Sequence, residues 1–487
     1  MILYDDASIR HVLRRAGFGA SPAELALFRE LRPTEAMDLL TSFEQVPDDV
    51  DDKIGQAGYV NVMVRGTFAP NTNITDARQR WLFRMVHSGR PLQEKMTLFW
   101  HNHFATAYSK LAGAYGSSSA TRLMAGKASE DPKQQEGQIE VIRRMCLGNF
   151  RDLVVAMARD PGMLVWLDGR FNTRQKPQEN FGRELMELFS MGVRYYSESD
   201  VYAAARVFTG WNLRRTTDGS GDLFPKFEFA YNAASHDTAA KAFTFPIYPD
   251  GSRTIPARSA DAGIQDGIDL ITAVASHPET ARRLVRRLWG FFVSEMAEPP
   301  AGYVQDLAEA FLQNDLSLRV LVRRMLRTPE FSDPANYYSR YSWPVETVVR
   351  SIKEVGWAGY SVNDAVNHLI NMGQQLFEPP DVAGWELGSG WISSGAMLSR
   401  MNFASSLITS QRTALLNAAK PHAQTPENFL SYFMERLAPS PLDGATYQDL
   451  LAYLRGSGAW TGTDTQVRNK ASGLVHLMLG SGEYVFV

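Results

Sequence analysis

Two glutamates, Glu184 and Glu187, stand three residues apart inside ENFGRELMELFSMGVRYYSESDVYAAARVFTGW (179–211), where apolar residues recur at helical spacing. At about 100° per residue, Phe181, Leu185, Leu188 and Phe189 form a single stripe. Glu184 falls at its edge and Glu187 beside it. Any fold that buries this stripe draws two carboxylates toward the interior, where an unpaired charge is costly. Arg183, another basic side chain or a metal ion must meet them. Gly192 suits a helix-ending glycine. Ser197 or Ser199 is placed to cap a second helix, with Asp200 in its first turn.

A second informative stretch is PLQEKMTLFWHNHF (91–104), a helix opened by Pro91. Leu92, Met96, Phe99 and His103 share one face, while His101 lies roughly opposite with Glu94 and Thr97. The two imidazoles converge only if the helix ends or unwinds near Asn102. A further imidazole and carboxylate are adjacent at His236 and Asp237. Imidazole plus carboxylate is the donor set of zinc, iron or manganese. His101, His103, Glu184, Glu187, His236 and Asp237 are therefore the candidate ligands of a divalent metal. Glu184, His103 and Arg183 are the candidate catalytic groups. They would act with a metal-bound water, or Glu184 and His103 would form a metal-free acid/base pair. The structural alternative makes the histidines hydrogen-bonded core groups and pairs the carboxylates with Arg183 or Arg206.

The rest reads mostly as helices. Residues 4–31 form two, split by AGFG (16–19), with Arg14 and Arg15 as an anion site or as surface charge. Residues 44–76 read as a surface excursion. YSKLAGAYGSSSATRLMAGKASEDPKQQEG (108–137) is Gly/Ser-rich and reads as a long flexible loop, a candidate lid. Short aromatic runs across 212–258 indicate a small β-rich insertion. Four arginines in ARRLVRRLW (281–289) read as a solvated helix face. QQLFEPPDVAGWELGSGW (374–391) is an irregular loop whose tryptophans suit a pocket wall or an inter-domain plug. The expected fold is mainly α and multi-helical, with two closely packed lobes (1–211 and 259–420), the insertion (212–258) and a C-terminal helical segment (421–487).

A net charge of -3 leaves no basic excess for phosphates, so no nucleic-acid partner is expected. The single cysteine, Cys146, excludes an intrachain disulfide and a Cys-based zinc site. No run approaches the ~20 apolar residues of a membrane span, so no membrane insertion is expected. The opening MILYDDASIR has acids where a signal peptide needs a basic region. The chain as written reads as cytoplasmic, with export alongside a signal-bearing partner left open.

Six stretches in order, HVLRRAGFG (11–19), KMTLFWHNHFAT (95–106), residues 179–211, HDTAAK (236–241), SHPETARRLVRRLWGFFV (276–293) and residues 374–391, resemble the bacterial "domain of unknown function 1800" family almost end to end. The resemblance implies no reaction. It implies a partner of the alkaline phosphatase/sulfatase superfamily and an exported setting, although this chain lacks the export signal of many members. The expected function is a metal-dependent enzyme, hydrolytic and acting on an extended saccharide or peptide. The alternative is a non-catalytic binding or escort partner of the phosphatase-like protein.

Overall fold

The computed structural model describes residues 5–62, 66–219, 221–437, 439–456 and 458–487. Among them, twenty-three α-helices carry the chain, and the strands form two small two-stranded sheets. The fold is mainly α with a small β insertion. Buried apolar residues from Ile9 to Tyr484 form one connected cluster.

The helix Pro91–His103, here the imidazole helix, runs through that cluster, and every residue from Leu92 to His103 is buried. The face of Glu94, Thr97 and His101, opposite the apolar one, is therefore interior as well. Most of the helix's polar groups find partners, although Gln93 Oε1 and His103 Nδ1 meet none among the described residues. Glu94 accepts from Trp81 Nε1 at 3.0 Å, Arg84 Nε at 2.7 Å and Arg143 Nε at 3.0 Å. Lys95 pairs with Glu346.

In the insertion, β1 (Trp211–Thr216) pairs antiparallel with β2 (Lys226–Tyr231), Trp211 opposite Tyr231. β3 (Lys241–Ala242) pairs with β4 (Thr254–Ile255). Behind them His236, Lys241 and Asp266 are fully buried together and tie the insertion to the helix Ile264–Ala275.

Two further expectations need correction. Residues 108–137 are not a long loop. They fold as the helices Tyr108–Tyr115 and Ser117–Ala125, hinged at Gly116 (φ 81°). Leu111, Leu123 and Met124 supply the buried faces, and buried Arg122 pairs with Asp131 at 2.6 Å. The serines lie at a helix start, where their hydroxyls cost little. Arg14 and Arg15 are interior rather than surface charge. The described part of residues 44–76 is mostly exposed or half-buried, as a surface excursion requires, and holds short 3-10 turns at Phe43–Gln45 and Asp51–Lys53; 63–65 fall outside the described residues. Among the described residues no helix is long and apolar enough to cross a membrane.

Candidate functional site

The carboxylate helix spans Asn180–Glu187 and stops two residues before the end of its apolar stripe at Phe189. Leu188 ends it. Gly192, at φ 87°, then turns the chain and returns its N–H to the Met186 carbonyl at 2.8 Å. Ser197 caps the next helix, Glu198–Val207, in a capping box with Asp200. Phe181, Leu185 and Phe189 are buried, whereas Glu184 and Glu187 stay half-buried on the rim.

The candidate residues do not share one site. Arg183 pairs with Glu198 at 2.8 Å and Glu179 at 3.3 Å, not with the helix carboxylates that needed a cation. Glu187 accepts from the Tyr196 hydroxyl at 2.5 Å. Glu184 has no side-chain partner among the described residues. Partial burial, and then the charge of Glu187, raise its pKa above the ordinary carboxylate value. His103 makes no hydrogen bond to Glu184. Its Nε2 donates to the Phe189 carbonyl at 3.1 Å. Burial and then Arg287 and Arg283 hold its pKa well below the usual value, so the ring is neutral.

His101 Nε2 accepts from the Phe377 N–H at 3.2 Å, and burial takes its pKa down to about 3. His236 Nδ1 donates to the Thr209 carbonyl at 2.8 Å, with Nε2 3.3 Å from Asp266. Asp237 pairs with Arg206 at 2.7 Å. Among the described residues, no three His, Cys, Asp or Glu side chains are placed to hold a metal ion. Of the donors expected for zinc, iron or manganese, His101, His103, Glu187, His236 and Asp237 are each engaged separately, and Glu184 stands apart from them.

The histidine motif instead works as a backbone clasp. His101 holds Phe377, and Asn102 Oδ1 accepts from the Trp385 N–H at 2.7 Å. Gly384, at φ 90°, lets that strand of loop approach; a Cβ there would lie 2.2 Å from Asn102 Oδ1. His103 holds the turn after the carboxylate helix. Three consecutive residues thus seat two segments from distant parts of the chain.

Those two segments flank a third, the helix Pro278–Phe292, here the arginine helix. Pro278 sits in its first turn, and His277 caps it by accepting from the Glu279 N–H at 3.2 Å. Leu284, Val285, Leu288 and Phe292 bury one face. Arg283, Arg286, Arg287 and Gly290 follow i, i+3, i+4, i+7 and form the opposite stripe. Arg283 Nη1 donates to the Leu188 carbonyl at 2.6 Å.

Two depressions of about 320 Å³ and about 460 Å³ share Arg283 and Arg286 and together make one groove along this stripe. One end is walled by Glu187, Val193 and Tyr195; the other by Glu295, Leu387 and Gly388. A Cβ added to Gly290 would meet nothing within 4 Å, so the groove is open to the helix backbone there.

The electrostatics are asymmetric. Arg286 and Arg287 form no hydrogen bond or ion pair among the described residues; Arg287 lies over the Phe99 ring at 5.9 Å. Burial and the like charge of Arg283 pull the Arg287 pKa below its ordinary value. The nearby carboxylates do not answer these charges. Glu187 is held by Tyr196, Glu279 by Arg282, and Glu295 by the N–H groups of Tyr341 (2.9 Å) and Gly388 (3.2 Å). Glu298 is exposed on the far rim. The groove can therefore receive carboxylates from outside in charge-assisted hydrogen bonds.

Sequence reasoning missed the roles of Asn102, Tyr196 and Glu295, and read the arginines of 281–289 only as a solvated helix face. The spacing of Arg283, Arg286, Arg287 and Gly290 was the available signal, because it is a stripe rather than a scatter. A family model described as "Protein of unknown function (DUF1800)" matches residues 11–486. No curated protein and no solved structure matches the chain.

Proposed function

The chain belongs to the DUF1800 family, and we propose that in this member the arginine groove binds an extended acidic segment of a partner protein. The observation that carries the reading is the pair Arg286 and Arg287, two cations without a carboxylate partner in a groove whose own carboxylates are mostly committed elsewhere. The flanking side chains favour a polypeptide over a saccharide. Val193, Tyr195 and Leu387 line the groove and are 57%, 42% and 46% exposed. Arginine beside exposed aromatic and aliphatic groups is the composition of protein-binding anchors. Such a role agrees with a non-catalytic binding or escort partner, and a phosphatase-like protein is one candidate to supply the segment.

Arginine-selective dicarbonyl labelling tests the site. A Glu-rich peptide containing Leu and Tyr should protect Arg286 and Arg287 and leave exposed Arg215 reactive. Equal labelling of all three at saturating peptide would refute the assignment.

A second reading, hydrolysis of the bound segment, is supported by Glu184. It is half-buried, unpartnered and raised in pKa, as a proton donor needs to be. It stands one turn from Glu187 on the groove wall. Hydrolysis of the peptide by the wild-type protein, abolished in Glu184→Gln, would favour this reading. Intact peptide after prolonged incubation would leave binding alone.

A further inference from the structure

Beneath the groove, two fully buried arginines carry donors that no acceptor among the described residues meets. Arg15 and Arg340 are both closed to solvent. Arg15 Nη2 donates to the Asn336 carbonyl at 2.8 Å and to Ser339 Oγ at 3.2 Å, while its Nε and Nη1 have no partner among the described residues. Arg340 Nη1 donates to both oxygens of Glu346 at 2.8 Å, while its Nε and Nη2 have no partner among the described residues.

Glu346 cannot supply more. Its Oε1 also pairs with Lys95, and its Oε2 accepts from the Trp343 N–H at 2.8 Å. A carboxylate offers about four acceptor positions, and all four are taken. The next carboxylate, Glu295, is held by Tyr341 and Gly388. Three buried cations, Arg15, Lys95 and Arg340, thus surround one saturated anion. Phe291 and Trp343 lie against the Arg340 guanidinium at 4.8 Å and 5.4 Å. Aromatic faces offset part of the charge, but they accept none of the in-plane N–H bonds.

Leaving several donors of two buried cations unmet is costly. A water molecule could accept two of these bonds, but it would leave the excess charge in place. We infer that a small inorganic anion, of chloride size, is bound between Arg15 and Arg340 and accepts from their free N–H groups. The donors are closed to solvent, so the site suits a permanently held structural ion rather than a substrate. It is independent of the acidic segment proposed for the groove.

The test uses the full chain. Crystals grown or soaked in sodium bromide should show an anomalous peak between Arg15 and Arg340. In thermal melts at matched ionic strength, replacing gluconate with bromide or chloride should raise Tm by about 3 °C over a hundredfold concentration range. Arg15→Met should abolish that rise. If sulfate produces the rise and bromide does not, again lost in Arg15→Met, the same site takes an oxyanion. Equal melting in halide, sulfate and gluconate, or a map showing only water there, would overturn the inference. The anomalous measurement on the wild-type protein stands even if Arg15→Met fails to fold.

Discussion

Arg283 Nη1 donates to the carbonyl oxygen of Leu188 at 2.6 Å, across 95 residues of sequence, and so seats the turn after the carboxylate helix against the arginine helix. His103 secures the same turn from the other side through Phe189. The groove therefore depends on two polar ties to backbone carbonyls, neither of which is an ion pair.

Replacing Arg283 by Met should release this turn. A hydrogen bond from a charged donor is worth about 1–3 kcal/mol, so a loss within that range is expected in denaturant titration. Faster amide exchange should be confined to residues 188–195. Uniformly faster exchange across the chain would show that Arg283 has a global rather than a local role.

Glu184→Gln should be tolerated, because the carboxylate has no partner to strand. Its folded pKa is raised by burial first. A raised carboxylate favours folding at low pH, and that contribution is lost as pH rises through the folded pKa. Gln should therefore melt higher than the wild type at pH 7, with the gain shrinking as pH falls through the raised folded pKa and gone below the ordinary carboxylate value. A lower Tm at pH 7 would mean that Glu184 is paired in solution.

The buried imidazole of His101 has the opposite sign. Burial lowers its pKa to about 3, so its contribution is complete above the ordinary histidine value near 6.5 and is lost as pH falls toward the folded value. At about 1.4 kcal/mol per pH unit, the loss reaches about 2 kcal/mol at pH 5. His101→Asn should flatten stability between pH 6.5 and 5 relative to wild type. Asp160, raised by burial to about 7, changes in the other direction but is common to both proteins. Parallel pH curves would contradict the buried neutral ring.

The segment 108–137 should resist proteases. Arg122→Ala leaves Asp131 without its buried cation and should cost about 3–5 kcal/mol. Limited proteolysis should then cut between the helices at Gly116. Rapid cleavage of the wild-type protein at that glycine would contradict the packed helical hairpin.

Much of the fold was legible because helix punctuation is local. Pro91, Pro278 and Pro344 open helices where they stand, and Ser197 caps with Asp200 as its spacing indicates. The site was less legible because its chemistry depends on partners far along the chain. His101 and His103 do lie on different faces of one helix, but only the fold shows that each holds a backbone group of another segment. The carboxylates were expected to find Arg183, which turned instead to Glu198 on the following helix. In 108–137 the glycines and serines masked a helical hairpin, because its few apolar residues, Leu111, Leu123 and Met124, are enough to bury it once Arg122 pairs with Asp131.

The central claim is that the groove over the arginine helix receives an acidic segment, and titration of a labelled Glu-rich peptide tests it most directly. The full chain is compared with Arg286→Glu/Arg287→Glu and with Gly290→Leu, whose added side chain enters open space rather than the core. The account predicts binding that weakens with salt, and at least about a tenfold loss in each variant with Tm unchanged or, for Gly290→Leu, higher. Absence of binding by the wild type at low salt, or equal affinity in all three proteins, would contradict it.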